Sequence, residues 1–78
     1  MRVRFFAGAA EAAGLDEQQV DASMTFGELR AALADEHGAE FARVLERCAV
    51  RVDGARLADD DLVPADATVD VLPPFAGG

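Results

Sequence analysis

The sequence has no lysine, only one histidine (His37) and only one cysteine (Cys48). The absence of lysine excludes a Schiff-base lysine, the lysine of a phosphate-binding loop and any side-chain amine that could accept an acyl group. A single cysteine cannot form an internal disulfide, so a secreted scaffold held together by disulfides is excluded. A single histidine leaves no partner for a two-histidine metal site, and the sequence pattern indicates no Ser/His/Asp or Cys/His nucleophile set.

Long apolar runs and an excess of positive charge are missing as well. No apolar stretch approaches the roughly 20 residues of a membrane-spanning helix, and Met1–Phe6 lacks the layout of a signal peptide. We therefore expect a cytoplasmic protein. Fifteen acidic residues against seven arginines give a net charge of −8, which disfavours binding to nucleic acid or to an anionic membrane. An acidic surface suits a basic protein partner instead.

The residues that are present predict one small domain. The chain has 78 residues, and 51% of them are hydrophobic, which is a globular composition. Met1–Ala7 is predicted to be a strand, because apolar and charged residues alternate there. Ala9–Ala13 favours a short helix closed by Gly14. Gln18–Ala22 is a weaker strand that is expected to return antiparallel to the first.

A capping box is the clearest local signal in the chain. Thr25 and Glu28 stand three residues apart, so each side chain can bond the backbone amide of the other at the start of a helix. Apolar residues then recur at helical spacing, which predicts a helix from Phe26 to about His37. Gly38 provides the stop.

The second half of the chain predicts a short helix followed by strands. The apolar residues within Phe41–Leu45 indicate a short second helix or turn. Ala49–Val52 is predicted to be a strand, and Asp53-Gly54 a tight turn that leads into a short strand at Arg56–Leu57. Alternation over Thr68–Leu72 predicts the last strand.

This order of elements predicts an α+β fold of the β-grasp, or ubiquitin-like, type. A helix between strands of one sheet implies a right-handed crossover, and the helix must cover one sheet face. The first and last strands are the most apolar, so we expect them side by side at the centre. The prediction is a mixed sheet of four to five strands packed on one main helix, with a domain over residues 1–72 and an extended tail over residues 73–78.

The tail carries the most specific signal for function. Two glycines follow a final strand and a proline pair. The prolines hold the segment extended, and glycines without Cβ atoms can thread a narrow channel. We expect the carboxylate of Gly78 to be the reactive group, Gly77 and Ala76 to provide clearance, and Pro73, Pro74 and Phe75 to contact a partner. The alternatives are a frayed terminus with no role and a Phe75 ring folded back on the sheet.

The chain resembles the ubiquitin-like sulfur carrier family, and within it most closely the small subunit of molybdopterin synthase, the sulfur carrier of molybdenum cofactor biosynthesis. The strand at Val3–Ala7, the turn at Glu11–Gly14, the helix opened by Thr25 and the ending Leu72–Gly78 carry the resemblance, which covers the whole chain. The Pro-Pro-Phe-Ala-Gly-Gly ending is its most specific part. Thiamin-type carriers also end in Gly-Gly, but they usually lack the proline pair and the Phe-Phe-Ala opening.

The resemblance implies a sulfur-donating subunit that is not catalytic alone and binds no cofactor. An adenylating (E1-like) enzyme would use ATP to activate Gly78, and a sulfur donor protein would displace AMP to leave a thiocarboxylate. The large subunit of molybdopterin synthase would then take that sulfur for the dithiolene of molybdopterin, with cyclic pyranopterin monophosphate as substrate. Three alternatives stay open: sulfur transfer to thiamin thiazole, cysteine or a specialised metabolite; a ubiquitin-like protein modifier joined through Gly78 to amines; and a binding module whose tail is incidental.

The other candidate residues are predicted to be structural. Cys48 is expected to pack against the core, and His37 to sit in the last turn of its helix, where the dipole favours a cation. The run Asp59–Asp61 lacks the spacing of a calcium loop, so a solvated acidic loop is expected and no metal site. The open face of the sheet, the tail and Phe75 are expected to form a hydrophobic docking patch surrounded by acidic residues.

Overall fold

Helices cover one face of a four-stranded sheet, and no element within residues 1–74 covers the opposite face. The computed structural model describes residues 1–74. Within them the elements are, in chain order, β1 (Arg2–Phe5), α1 (Ala7–Ala13), β2 (Glu17–Gln19), β3 (Met24–Thr25), α2 (Phe26–His37), α3 (Ala39–Arg47), β4 (Ala49–Val52), β5 (Leu62–Val63) and β6 (Thr68–Leu72).

The sheet has the strand order β2-β1-β6-β4. The central pair β1 and β6 is parallel, with Val3 opposite Val69, while β2 and β4 pair antiparallel on the two sides. A parallel pair requires a crossover connection, and the segment that holds the helices supplies it. The predicted mixed sheet, with the first and last strands at its centre, is confirmed.

Alternation along the strands separates the two faces of the sheet. Val3 and Phe5 of β1 and Val69 and Val71 of β6 are all at most 3% exposed. Since successive side chains of a strand point to opposite faces, the residues between them lie on the open face. The helices complete the core with six buried side chains: Ala9, Phe26, Leu29, Leu33, Phe41 and Leu45.

The predicted local signals are present at the ends of the helices. Helix α2 begins at Phe26 with both bonds of the capping box formed and ends at His37. Helix α1 ends at Ala13 and is capped by Gly14, whose φ of 78° is left-handed and suits a residue without a Cβ atom. No helix within residues 1–74 combines the length and the apolar character needed to cross a membrane.

The predicted strand at Arg56–Leu57 is wrong. Hydrogen bonds run both ways between Val52 and Ala55, at 2.8 and 2.9 Å, and close a tight turn, but the ladder stops there. The pairing forms further along instead, where β5 joins β3 in a separate two-stranded sheet. The amides of Phe26 and Gly27 bond the carbonyls of Asp61 and Asp59, which holds the following loop against the start of α2.

Candidate functional site at the exit of the C-terminal segment

The C-terminal segment leaves from the middle of the sheet. Strand β6 ends at Leu72, which lies opposite Ala49 at the start of β4, and Val71 lies opposite Phe5 at the end of β1. Pro73, which follows, is half-buried, and Pro74 is exposed. The prolines restrict φ and cannot continue the ladder, so pairing ends where the segment passes α3.

Four predicted site residues, Phe75, Ala76, Gly77 and Gly78, lie outside the described residues. Their roles stay predictions. The same holds for the boundary between a domain over residues 1–72 and a tail, although β6 ends at Leu72.

A groove separates the two prolines from α3. It has a volume of about 460 Å³, and Pro73 and Pro74 line it opposite Arg43, Val44 and Arg47, with Glu40 at one end. Arg43 and Arg47 stand one helical turn apart, so their side chains share one face of α3. The sequence predicted that the prolines contact a partner and that Phe41–Leu45 forms a short helix or turn. It did not predict that Arg43 and Arg47 of this helix lie beside the prolines, although their four-residue spacing places them on one helical face.

A hydrophobic patch was predicted on the open face of the sheet. This prediction is wrong for the centre of that face, where Arg4 and Asp70 form an ion pair. The Arg4 guanidinium donates two hydrogen bonds to the Asp70 carboxylate, Nε to Oδ1 at 2.6 Å and Nη2 to Oδ2 at 2.8 Å. These bonds raise the pKa of Arg4 above its ordinary value. Arg2 pairs with Glu17 at 2.9 Å on the neighbouring strand. The period-2 alternation that buried the valines placed charged residues on the other face.

An aromatic ring does lie near the tail exit on that side. Phe6 is 39% exposed, and its backbone amide bonds the carbonyl of Val71. The Arg4 guanidinium carbon lies 5.7 Å from the centre of the Phe6 ring, within range of a cation–π contact. Phe6 is therefore an apolar side chain next to the end of β6, held between a charged pair and solvent.

Cys48 lies at the C-terminal end of α3 and is half-buried against the core. Its Sγ donates to the carbonyl of Val44 at 3.2 Å, and burial raises the pKa of the thiol. The thiolate is the nucleophilic form of cysteine. A protonated, hydrogen-bonded thiol fits the packing role that was predicted for it.

His37 occupies the last turn of α2, as predicted. Its side chain also contacts residues of other elements. Its side chain is 7% exposed and packs edge to face against Phe5, with ring centres 5.6 Å apart, and in a tilted arrangement against Phe41, with ring centres 5.0 Å apart. Its Nε2 lies 2.6 Å from Oε1 of Gln18. His37 of α2 therefore contacts β2 through Gln18 and α3 through Phe41. No sequence pattern predicted these contacts between distant segments.

Comparisons with known proteins agree with this geometry. The ThiS family model matches residues 3–78. Among solved structures, SAMP1 from Haloferax volcanii matches with a TM-score of 0.79 and 29% identity, over 100% of this chain and 98% of that one. A second structure of small archaeal modifier protein 1 from H. volcanii matches with a TM-score of 0.75 and 27% identity, over 96% of this chain and 97% of the other.

A Pyrococcus furiosus protein provisionally named molybdopterin converting factor, subunit 1, has a TM-score of 0.80. It is 20% identical, with 95% of each chain covered, so this likeness concerns the fold alone. No curated protein matches the chain at a significant level. The three structures share the β-grasp arrangement over nearly the whole chain, and the family match extends through the two final glycines.

Proposed function

Because the chain belongs to the ThiS family of ubiquitin-like sulfur carriers, we propose that it carries sulfur as a thiocarboxylate on Gly78. We propose further that it donates this sulfur for the dithiolene of molybdopterin, as the small subunit of molybdopterin synthase. The observation that carries the proposal is the exit of the C-terminal segment from the central strand β6 into the proline pair. That position supports presentation of the Gly-Gly end to another protein.

The length of the C-terminal segment limits how far the Gly78 carboxylate can extend from the folded domain. From Pro73 to Gly78 an extended chain spans at most about 20 Å, at roughly 3.3–3.6 Å per residue. Two terminal glycines offer no Cβ atom, so the end fits a channel that is too narrow for other residues. The segment could therefore place its carboxylate inside the active site of a partner while the folded domain stays outside.

The proposed chemistry needs activation by a partner. A free carboxylate is a poor electrophile, and adenylation by ATP releases pyrophosphate and makes AMP the leaving group. Attack by the sulfur of a donor protein on the Gly78 carbonyl carbon expels AMP. When that sulfur is the outer sulfur of a donor persulfide, the product is an acyl disulfide, and a thiol then attacks the donor's inner sulfur. A new disulfide forms between the thiol and the donor, the acyl S–S bond breaks, and its electron pair stays on the carrier sulfur as the thiocarboxylate. This chain supplies the presented terminus, and the acid–base groups belong to the partners.

The choice of molybdopterin as the destination rests on the ending of the chain. The Pro-Pro-Phe-Ala-Gly-Gly sequence and the Phe-Phe-Ala opening favour this pathway over the thiamin thiazole, cysteine or specialised-metabolite pathways. The fold is common to these carriers and does not separate them. The partners proposed here are an adenylating enzyme, a sulfur donor protein and the large synthase subunit.

A second candidate function is protein modification. It is favoured by the match to SAMP1, which at 29% identity covers 100% of this chain. The protein in the second H. volcanii structure is called a small archaeal modifier protein. In that role Gly78 would form an amide bond with an amine of a target. The sequence has no lysine, so a second copy of this chain would offer no side-chain amine as the target.

Reconstitution separates these functions. The chain is incubated with ATP, an adenylating enzyme and a sulfur source, and its intact mass is measured before and after addition of the large synthase subunit and cyclic pyranopterin monophosphate. We expect a gain of one sulfur-for-oxygen difference that reverses when substrate is added. Isopeptide adducts on other proteins would support the function of a protein modifier. An unchanged mass would support a binding module whose tail has no chemical role.

A further inference from the structure

A second depression lies at the β4 edge of the sheet and is lined by three arginines. It has a volume of about 260 Å³ and lies between β4, the start of α2 and the end of α3. Arg30, Arg51 and Arg56 line it, and Glu46 is the single acidic residue among its lining residues. In a chain of net charge −8, this is a local concentration of positive charge.

Two of these guanidinium groups have unused hydrogen-bond donors. Arg51 lies opposite Asp70 in the sheet register, but the Asp70 carboxylate is already bound by Arg4 through two bonds. Within residues 1–74, no carboxylate lies within 4.0 Å of a guanidinium nitrogen of Arg51 or Arg56. The third arginine, Arg30, contacts exposed Asp59 at 3.2 Å. Arginine forks bind carboxylates in a bidentate manner, so free forks here favour an acidic ligand.

The backbone at this edge also has unused bonding groups. Val52 exchanges both of its backbone hydrogen bonds with Ala55, outside the sheet, while the amide of Asp53 bonds Thr68 of β6. Because inward and outward residues alternate in an antiparallel ladder, the N–H and C=O of Val50 also point away from β6. In the described part of the chain no group bonds them. An extended segment that lies along β4 would meet one free donor and one free acceptor.

The floor of the depression is apolar. Phe26, Leu45 and Leu57 line it below the arginines, and the first two are 6% exposed. A strand added to an edge turns alternate side chains to opposite faces of the sheet. Such a strand would place one set of side chains toward this floor and the other set toward the face that carries Arg51.

We propose that this β4 edge, formed by Val50 together with Arg30, Arg51 and Arg56, docks a short extended segment of a partner protein in which acidic and apolar residues alternate. The acidic side chains bind the free forks of Arg51 and Arg56, beside the pair formed by Arg30 and Asp59, the apolar ones cover Phe26, Leu45 and Leu57, and the backbone bonds Val50. Charge complementarity selects the occupant, because a basic segment would be repelled. The proposal goes beyond the function proposed for Gly78 and does not depend on it.

The test is an NMR titration of the full 78-residue chain, labelled with ¹⁵N. The probe is the peptide acetyl-Glu-Val-Glu-Val-Glu-amide, and the matched control peptide carries Gln in place of Glu. We expect saturable shifts of the backbone amides of Val50, Arg51 and Arg56 with the acidic peptide and much weaker ones with the control. Equal shifts with both peptides, or shifts spread over the whole surface, would overturn the proposal.

Variants separate the edge from general electrostatics. Arg51→Gln combined with Arg56→Gln should raise the Kd of the acidic peptide about fivefold, as expected for two partly exposed ion pairs. Arg2→Gln removes one positive charge beside Glu17, on the far side of the sheet, and should leave the Kd unchanged. If the double variant fails to fold, the single variant Arg56→Gln replaces it, because the side chain of Arg56 is exposed. An unchanged Kd in the variant, or an equal loss in Arg2→Gln, would contradict the proposal.

Small anions provide the competing explanation. Inorganic phosphate and AMP are titrated separately against the same labelled protein. If either shifts the same amides at lower concentration than the acidic peptide does, the depression is a small-anion site and the docking proposal is wrong. A chain that lacks Gly78 should bind the acidic peptide with the same Kd as the full chain. The peptide titration therefore tests the β4 edge independently of the sulfur-transfer experiment.

Discussion

Thr25 and Glu28 hold each other at the start of α2. The Thr25 hydroxyl accepts a hydrogen bond from the Glu28 amide at 3.2 Å, and the Glu28 carboxylate accepts one from the Thr25 amide at 2.9 Å. Met24 and Thr25 also pair with β5, so the capping box fixes the point where the second sheet meets the helix. The bond from the Thr25 amide lowers the pKa of Glu28 below its ordinary value.

Thr25→Ala should lower the free energy of unfolding by about 1 kcal/mol, because the Glu28 amide loses its acceptor. Chemical denaturation measures this loss, and Thr25→Ser is the matched control that keeps a hydroxyl. The Ser variant should retain most of the stability. If the Ala variant unfolded at the same denaturant concentration as the wild type, the cap would have no energetic role.

The same contact predicts a pH dependence. A carboxyl whose pKa is lower in the folded state stabilises the fold above its unfolded pKa of about 4.3, and this stabilisation is lost as the pH falls through the folded value. The stability gap between wild type and Glu28→Gln should therefore be present at neutral pH and shrink below about pH 4. A gap that is constant with pH would show that the charge of Glu28 is not involved.

Local signals made most of the fold predictable. The capping box and Gly38 set both ends of α2, and alternation in β1 and β6 identified the buried central pair. The pairing of Met24–Thr25 with Leu62–Val63 was missed, because strands of two residues have no periodicity to read. The free guanidinium group of Arg51 at the β4 edge was missed for another reason. Arg51 is left without a carboxylate only because the parallel register of β1 and β6 gives Asp70 to Arg4.

Cys48→Ala should leave formation of the thiocarboxylate on Gly78 unchanged. Burial raises the pKa of the thiol, so little thiolate exists near neutral pH, and the thiolate is the form that handles sulfur. The thiol should also react with iodoacetamide more slowly than glutathione does at pH 7. Loss of sulfur transfer in a folded Cys48→Ala protein would mean that the thiol takes part in the chemistry.

Phe75→Ala should weaken binding to both the adenylating enzyme and the large synthase subunit. If the ring is an interface anchor, each complex loses more than about 1 kcal/mol, which calorimetry or a biosensor measures. Because both partners are expected to grip the same tail, the two complexes should exclude each other in a competition pull-down. A stable ternary complex of all three proteins would contradict a shared surface.

Gly77→Val should block adenylation of Gly78 with little change in melting temperature. A β-branched side chain stiffens the backbone and widens the tip. Gly77 is expected to make no core contact, and a substitution away from the core usually alters stability by less than about 0.5 kcal/mol. Gly77→Ala is the intermediate control, and pyrophosphate release measures the rate. If Gly77→Val is adenylated at the wild-type rate, the C-terminal end does not pass through a channel that admits only glycine.

The central claim is that Gly78 carries the sulfur, and the intact mass of the chain tests it most directly. Wild type and a variant that lacks Gly78 are each incubated with ATP, the adenylating enzyme and a sulfur source, and fragmentation then locates any change. We predict that the wild type gains one sulfur-for-oxygen difference on Gly78, and that the shortened chain, equally folded, gains none. A shortened chain that still acquired a thiocarboxylate and supported sulfuration of the pterin would contradict the account.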